Sequence, residues 1–265
     1  MVDSIFDKPT DEQGEGDEQR VTFGVPLVRL VKREIREDAE LVLLSQPRSV
    51  IAEKFRRLKT TLVNDKSKPQ VLVVTSPLPA DGKSLIAMNL ALTFAADLDG
   101  EVLLIDADLR RPSVDGWIEP PPKLGLSEIL TDKTSLEHCL LTLENTRLRI
   151  LTAGAPIQDP MELMNSSACR DLMAELRRRF KVIIIDTPPI VPFADADAIG
   201  NLADACLLIA RAGKTTRSMH EQAVDSISSM PILATVLNDA APNLADRDQS
   251  YQKYYYSYYD RERRK

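Results

Sequence analysis

Cysteine is nearly missing from this chain of 265 residues: Cys139, Cys169 and Cys206 are its three examples. They stand far apart and share no metal-ligand spacing. That excludes a disulfide scaffold and reads as free thiols buried in a reducing compartment. Histidine is scarcer still, and His138 and His220 form no pair. No apolar run approaches the ~18 residues that a membrane-crossing helix needs. The first twenty residues are acidic rather than basic and then apolar, so no secretory leader is expected. Excess positive charge is also lacking; the formal net charge of −6 argues against a general nucleic-acid binder. Tyrosine does not occur before residue 251. The expectation from these absences is a cytoplasmic protein, soluble by itself. What remains is 43% hydrophobic, enough for one large α/β domain with tails or for two small domains.

The chain is organised around Val71 to Ser84, Val-Leu-Val-Val-Thr-Ser-Pro-Leu-Pro-Ala-Asp-Gly-Lys-Ser. An apolar, β-branched run enters a Pro-interrupted loop that closes on Gly82-Lys83-Ser84. A helical pattern follows at Ile86, Ala87, Leu90, Ala91 and Phe94. Strand, loop and helix in this order make a phosphate cradle. Backbone N–H groups of the loop and first helical turn would face the phosphates, and the helix dipole favours the same negative charge. Lys83 would reach the terminal phosphates, and the Ser84 hydroxyl would bind Mg²⁺. The common form of this loop has a glycine five residues before Gly82, where this chain has Pro77.

Two further strands end in carboxylates. Val102 to Ile105 runs into Asp106-Ala107-Asp108, and Val182 to Ile185 runs into Asp186. Unbroken apolar runs of this kind are strands buried on both faces. The carboxyl ends of parallel strands are where open α/β sheets bind ligands. Aspartates there can hold Mg²⁺ through water or accept a proton. An Asx turn closing the strand is the plainer alternative.

Elsewhere, residues 1–20 carry too little apolar content to order themselves, and residues 21–44 give no clear pattern. Ser49 to Leu62 predicts a helix capped by Ser49, with Ile51, Phe55, Leu58 and Leu62 on one face. Glu53, Arg56 and Lys59 fall away from that face as an exposed charged stripe, either solvated or a subunit contact. Trp117 to Lys123 is Pro-rich and reads as a loop. Short helices are expected at Leu124 to Leu130 and Asp195 to Leu202, and longer ones at Ser167 to Arg179 and Thr215 to Ser229. Strands are expected at Leu148 to Leu151, Ala205 to Ala210 and Ile232 to Asn238. Alternating strands and helices imply a doubly wound, mostly parallel α/β sheet.

The composition changes sharply at residue 251. All six tyrosines lie here, as Tyr251, Tyr254, Tyr255, Tyr256, Tyr258 and Tyr259, ahead of a highly charged end. A core-forming stretch would mix in aliphatics. Phenols alone offer hydroxyls, and a hydroxyl beside an ATP site is a phosphoryl acceptor. A disordered tail or a nucleic-acid stacking surface is the alternative.

From Pro47 onward these residues resemble the bacterial tyrosine autokinases, the P-loop kinases of capsule and exopolysaccharide production. The resemblance rests on a Walker A loop (Ser76 to Ser84), a Walker A′ strand (Leu104 to Arg110), a Walker B strand (Ile183 to Pro189) and the tyrosine cluster. It implies a P-loop fold of the deviant Walker A kind, in which Lys83 and the Asp81–Leu85 backbone hold the phosphates of ATP. It implies that Ser84, Asp106 and Asp186 serve Mg²⁺, that Asp108 or Asp106 accepts the tyrosine proton, and that subunits phosphorylate one another's tails in a homo-oligomeric ring. The family's oligomerisation helix reads Glu-x-x-Arg-x-x-Arg; Glu53, Arg56 and Lys59 match it with Lys last, which lacks the planar fork and weakens the contact. The implied partners are a separate membrane-anchored activator of the polysaccharide co-polymerase kind, other tyrosine-phosphorylated polysaccharide enzymes and a phosphatase. The implied location is cytoplasmic, peripheral to the inner membrane face through a partner. The implied division is a disordered or extended segment 1–45, a kinase domain 46–245 and a flexible tail 246–265. Two rivals stand beside it. A partition- or division-site ATPase would carry a signature lysine where this chain has Leu78. A non-catalytic nucleotide-binding regulator would use the tail as an interaction patch.

Overall fold

A computed structural model describes residues 31–35, 41–97 and 99–240. The acidic arm and the tyrosine cluster lie outside the described residues. The strands are β1 (Val31–Ile35), β2 (Val71–Thr75), β3 (Val102–Asp106), β4 (Ile118–Glu119), β5 (Leu140–Leu143), β6 (Leu148–Leu151), β7 (Val182–Asp186), β8 (Ala205–Arg211) and β9 (Ile232–Asn238). The helices are α1 (Val42–Ser45), α2 (Val50–Val63), α3 (Lys83–Asp97), α4 (Leu126–Asp132), α5 (Leu136–Cys139), α6 (Met161–Met164), α7 (Ser167–Arg179), α8 (Asp195–Gly200) and α9 (Arg217–Ser226). They build one sheet in the order β4-β1-β5-β6-β3-β7-β2-β8-β9. From β6 to β9 every neighbouring pair is parallel, while β5 pairs antiparallel with β6 and β4 with β1. The doubly wound, mostly parallel α/β fold of the P-loop type is therefore present.

The β-branched runs behave as their composition requires. Every residue of β2, β3 and β7 is buried, so both sheet faces are covered. Alternate residues serve separate cores. Leu72, Val74, Leu104 and Ile184 pack with α3 through Met88, Leu90 and Phe94. Val71, Val73, Leu103 and Ile183 pack with α7 through Leu172, Met173 and Leu176. Each such side chain withdrawn from water contributes about 1.5–3 kcal/mol. Helix α3 is buried nearly all round because α2 covers its outer side with Phe55, Leu58 and Leu62.

The Ser49 cap forms, its hydroxyl accepting from the Ala52 N–H at 3.1 Å. The apolar face of α2 is narrower than expected. Ile51 is 53% exposed, and Ala52 takes the buried position beside it. The charged stripe also differs from the exposed one expected, because Glu53, Arg56 and Lys59 are each half-buried. Arg56 bonds Glu53 at 3.2 Å, and Lys59 reaches across to Asp97 at 2.7 Å. Trp117 to Lys123 is not wholly a loop. It contributes β4, whose Ile118 is buried and whose partner is β1. Both β1 and the buried Leu41 precede the domain boundary expected at residues 45–46.

Candidate active site

Strand register decides where the carboxylates point. Asp106 and Asp186 are direct partners across β3 and β7, and Val74 of β2 pairs with Asp186. Side chains alternate between faces along a strand. Leu104 and Ile184, two residues earlier, belong to the core on the α3 side. Asp106 and Asp186 therefore point at the first turn of α3, where Lys83 and Ser84 lie.

The cradle loop leaves β2 at Thr75 and enters α3 at Lys83. Gly82 sits at φ +94°, where a side chain is strained, and a Cβ there would meet the Asn238 amide at 2.1 Å. Asp81 holds the loop from inside. Its fully buried carboxylate accepts from the Leu78 N–H and the Thr215 hydroxyl, each at 3.2 Å, and pairs with Lys214 at 3.1 Å. Asn238, the last residue of β9, donates its side-chain amide to the Asp81 carbonyl at 3.0 Å. Arg211 donates to the Ala80 carbonyl at 3.0 Å.

Lys83 is 9% exposed, and its ammonium lies 3.1 Å from an Asp108 carboxylate oxygen. Burial pulls its pKa down, but Asp186, Asp108 and Asp106 together outweigh that and hold it above the ordinary lysine range. Asp106 organises the loop after β3. It accepts the Asp108 N–H at 3.0 Å and the Ser113 and Val114 N–H groups at 3.1 Å each. Burial pushes its pKa up, and those three bonds oppose the rise. Asp186 is the exceptional member. It is fully buried, and neither carboxylate oxygen makes a hydrogen bond. Burial drives its pKa upward, opposed chiefly by the Lys83 ammonium. A buried carboxylate with both oxygens orphaned marks a place where a ligand completes the structure.

Those orphaned oxygens, with the Ser84 hydroxyl on the same side, fit Mg²⁺. Magnesium keeps most of its waters and takes one or two protein oxygens plus phosphates rather than an all-protein cage. No cluster of three His, Cys, Asp or Glu side chains suited to a metal occurs among the described residues.

The structure thus brings together Lys83, Ser84, Asp106, Asp108 and Asp186, with Asp81, Gly82 and Leu85 in the loop and first turn beside them. Glu53, Arg56 and Lys59 sit apart, on the helix that covers α3. The tail tyrosines lie outside the described residues. The sequence reading missed Asn238, Lys214, Thr215 and the buried Asp195, which binds Arg110 at 2.6 Å. Their ends of strands and helices gave a positional signal, since Asn238 closes a parallel strand as Asp186 does. A cavity of about 430 Å³, lined by Leu43, Leu92, Ala95 and Thr146, holds none of these groups.

A glycine-bent loop opening a helix, facing carboxylates on two neighbouring strand ends, defines a P-loop nucleotide-binding protein. No family model matches the chain. It is 32% identical over 207 residues to the tyrosine-protein kinase YwqD of Bacillus subtilis, covering 77% of this chain and 87% of that one. It is 33% identical over 211 residues to the succinoglycan biosynthesis transport protein ExoP of Rhizobium meliloti, across 76% of this chain but 26% of ExoP. The crystal structure of the chimerical protein CapA2B2 superposes with a TM-score of 0.70 at 27% identity, covering 79% of this chain and 94% of the other. The chain belongs to the bacterial tyrosine-protein kinases. It is a protein-tyrosine kinase, which decides against both the partition-type ATPase and the non-catalytic regulator. No helix among the described residues is long and apolar enough to cross a membrane.

Proposed function

We propose that this kinase transfers the γ-phosphoryl group of ATP to its own C-terminal tyrosines, mainly between subunits, and so regulates exopolysaccharide or capsule synthesis and export. The observation that carries the site assignment is the buried Lys83 held between Asp108 and the unpartnered Asp186. The Asp81–Leu85 backbone and Lys83 bind the β- and γ-phosphates. Ser84, Asp186 and Asp106 are the residues that would hold Mg²⁺ and its waters, and the ion would neutralise charge developing on the phosphates. Asp108 accepts the phenol proton. It suits that role better than Asp106, whose two oxygens are already committed to three backbone donors. To reach a phosphate, Lys83 must leave Asp108, and its departure frees that carboxylate as a base. Proton acceptance is thereby tied to nucleotide binding.

Glu53, Arg56 and Lys59 form the contact that builds the ring. The membrane attachment comes from a separate activator of the polysaccharide co-polymerase kind; the likeness to part of ExoP, a succinoglycan biosynthesis transport protein, supports a kinase that works beside polysaccharide transport machinery. Other polysaccharide enzymes and a phosphatase are the further partners.

Lys83→Met tests the centre of the proposal. Catalysis of phosphoryl transfer is largely positioning and electrostatics, so the variant should fold normally and carry no tail phosphotyrosine. The measurement is phosphotyrosine mass spectrometry on protein expressed without any other tyrosine kinase. Wild-type levels in the variant would sink the assignment.

A further inference from the structure

Arg110 ties together three loops at the rim of the site. Its guanidinium bonds the buried Asp195 through Nε at 2.6 Å and through Nη2 at 3.3 Å. Nη1 donates to the Gln158 carbonyl at 2.7 Å, and the group lies 4.6 Å over the Phe193 ring. Arg110 itself follows β3, Gln158 lies beyond β6, and Phe193 and Asp195 lie beyond β7. These three strands are neighbours in the sheet, so their loops form one stretch of rim beside the cradle. The Ile157 N–H donates to the Leu109 carbonyl at 2.8 Å and adds a second tie between two of them.

Asp108 stands two residues before Arg110 on the loop so fixed. Its carboxylate accepts the Arg111 N–H at 3.0 Å and faces Lys83 on the other side. Arg110 also pairs with the exposed Asp159 at 3.8 Å and feels the charge of Asp108, but its hydrogen bonds go to the rim loops, so its grip bears on the loop after β3. A planar fork that bonds a carboxylate, a carbonyl and a ring face at once has a geometry that lysine cannot reproduce.

We propose that Arg110 is a positioning residue for the acceptor side of the reaction. Its clamp on Asp195, Phe193 and Gln158 sets the loop that aims Asp108 at the incoming tyrosine, and leaves ATP binding to the cradle. The inference rests on Asp108 being the proton acceptor. Because in-line transfer tolerates little misplacement, loosening the clamp should slow transfer to tyrosine about 10–100-fold. Nucleotide affinity and slow hydrolysis to water should change far less.

The test uses the full chain with a peptide of residues 248–260 as acceptor. Arg110→Ala strands a buried charge on Asp195 and is prone to unfold. Arg110→Lys and the neutral pair Arg110→Gln with Asp195→Asn avoid this, and thermal melts confirm their folding. Dissociation of a fluorescent ATP analogue, ATP hydrolysis and peptide phosphorylation at saturating ATP are compared with wild type and with Asp108→Asn. The expected result is near-normal nucleotide affinity with a reduced ratio of transfer to hydrolysis in both clamp variants, Lys failing to rescue. Losses of affinity, hydrolysis and transfer in step would assign Arg110 a purely structural role and overturn the proposal. Fully active clamp variants beside an inactive Asp108→Asn would overturn the clamp alone. An Asp108→Asn protein as active as wild type would overturn the proton-acceptor assignment and the clamp with it.

Discussion

Asp186 is held in a state that the fold by itself does not favour. Burial pushes its pKa up to about 8, with Lys83 opposing, and burial likewise pushes Asp106 up to about 6. Both lie above the ~4 of a free carboxyl. A carboxyl raised on folding contributes stability that is complete below its unfolded pKa and is lost as pH rises through its folded value. The nucleotide-free protein should therefore lose stability between about pH 4 and 8. Asp186→Asn should remove much of that slope and raise the melting temperature at pH 8, where a gain of about 1 kcal/mol appears as about 2–4 °C. The same substitution should depress Mg²⁺-dependent ATP turnover, because sites built for ligands are strained without them. Melts at pH 5 and pH 8 on both proteins check the first effect; parallel slopes would place its origin elsewhere. The chemistry of Asp106 and Asp186 was legible because each ends an unbroken apolar run, and that of Lys83 because Gly82-Lys83-Ser84 closes a loop between such a run and a helical pattern. Asn238 was not, since its partner Asp81 lies 157 residues away and only the folded sheet brings them together.

Among elements, the cradle loop depends on one backbone conformation. Gly82→Ala would force a side chain into positive φ and push the Asn238 amide off the Asp81 carbonyl. Alanine at such a position costs more than about 1 kcal/mol. The variant should melt earlier and bind ATP analogues poorly, both measurable by thermal shift with and without nucleotide; unchanged binding would show that the loop adapts. Helix α2 carries the assembly expectation. Arg56 is the residue to test, since Lys59 already serves α3 through Asp97 and its loss would confuse folding with association. Arg56→Glu should lower the oligomer mass seen by light scattering, and an unchanged mass would return the stripe to a local ion-pair role. The longer helices and the parallel strands from β6 to β9 were readable from their periods and β-branched runs, whereas the four-residue α1, α5 and α6 were not. The short β1, β4 and β5 were not. Val31–Ile35 mixes three charges into five residues, and Ile118–Glu119 is two residues long. Such short strands toward one end of the sheet exist because a neighbour offers them a partner, which no local pattern records.

For the whole molecule, the proposed tail phosphorylation has two routes, within a subunit and between subunits. Strand β9 runs parallel to β8 and ends at Asn238, whose side chain touches the cradle loop. The chain therefore leaves the described fold at the rim of its own site. Twelve residues, and so thirteen residue-to-residue steps, separate Asn238 from Tyr251. Extended, they span at most ~43–47 Å at 3.3–3.6 Å per residue, so its own site and a neighbour's are both within reach. Distance alone does not choose. What favours the neighbour is the family resemblance together with the charged stripe of α2, on which the proposed ring rests. In-line attack needs one phenol oxygen fixed near the γ-phosphate, and a tail docked from an adjacent subunit would supply it. Mixing a Lys83→Met chain that keeps its tail with an active chain truncated before Tyr251 separates the two routes. Phosphotyrosine should appear on the Lys83→Met chain. Its absence, in a mixture shown to co-assemble and with wild type still phosphorylated, would mean that each tail returns to its own site.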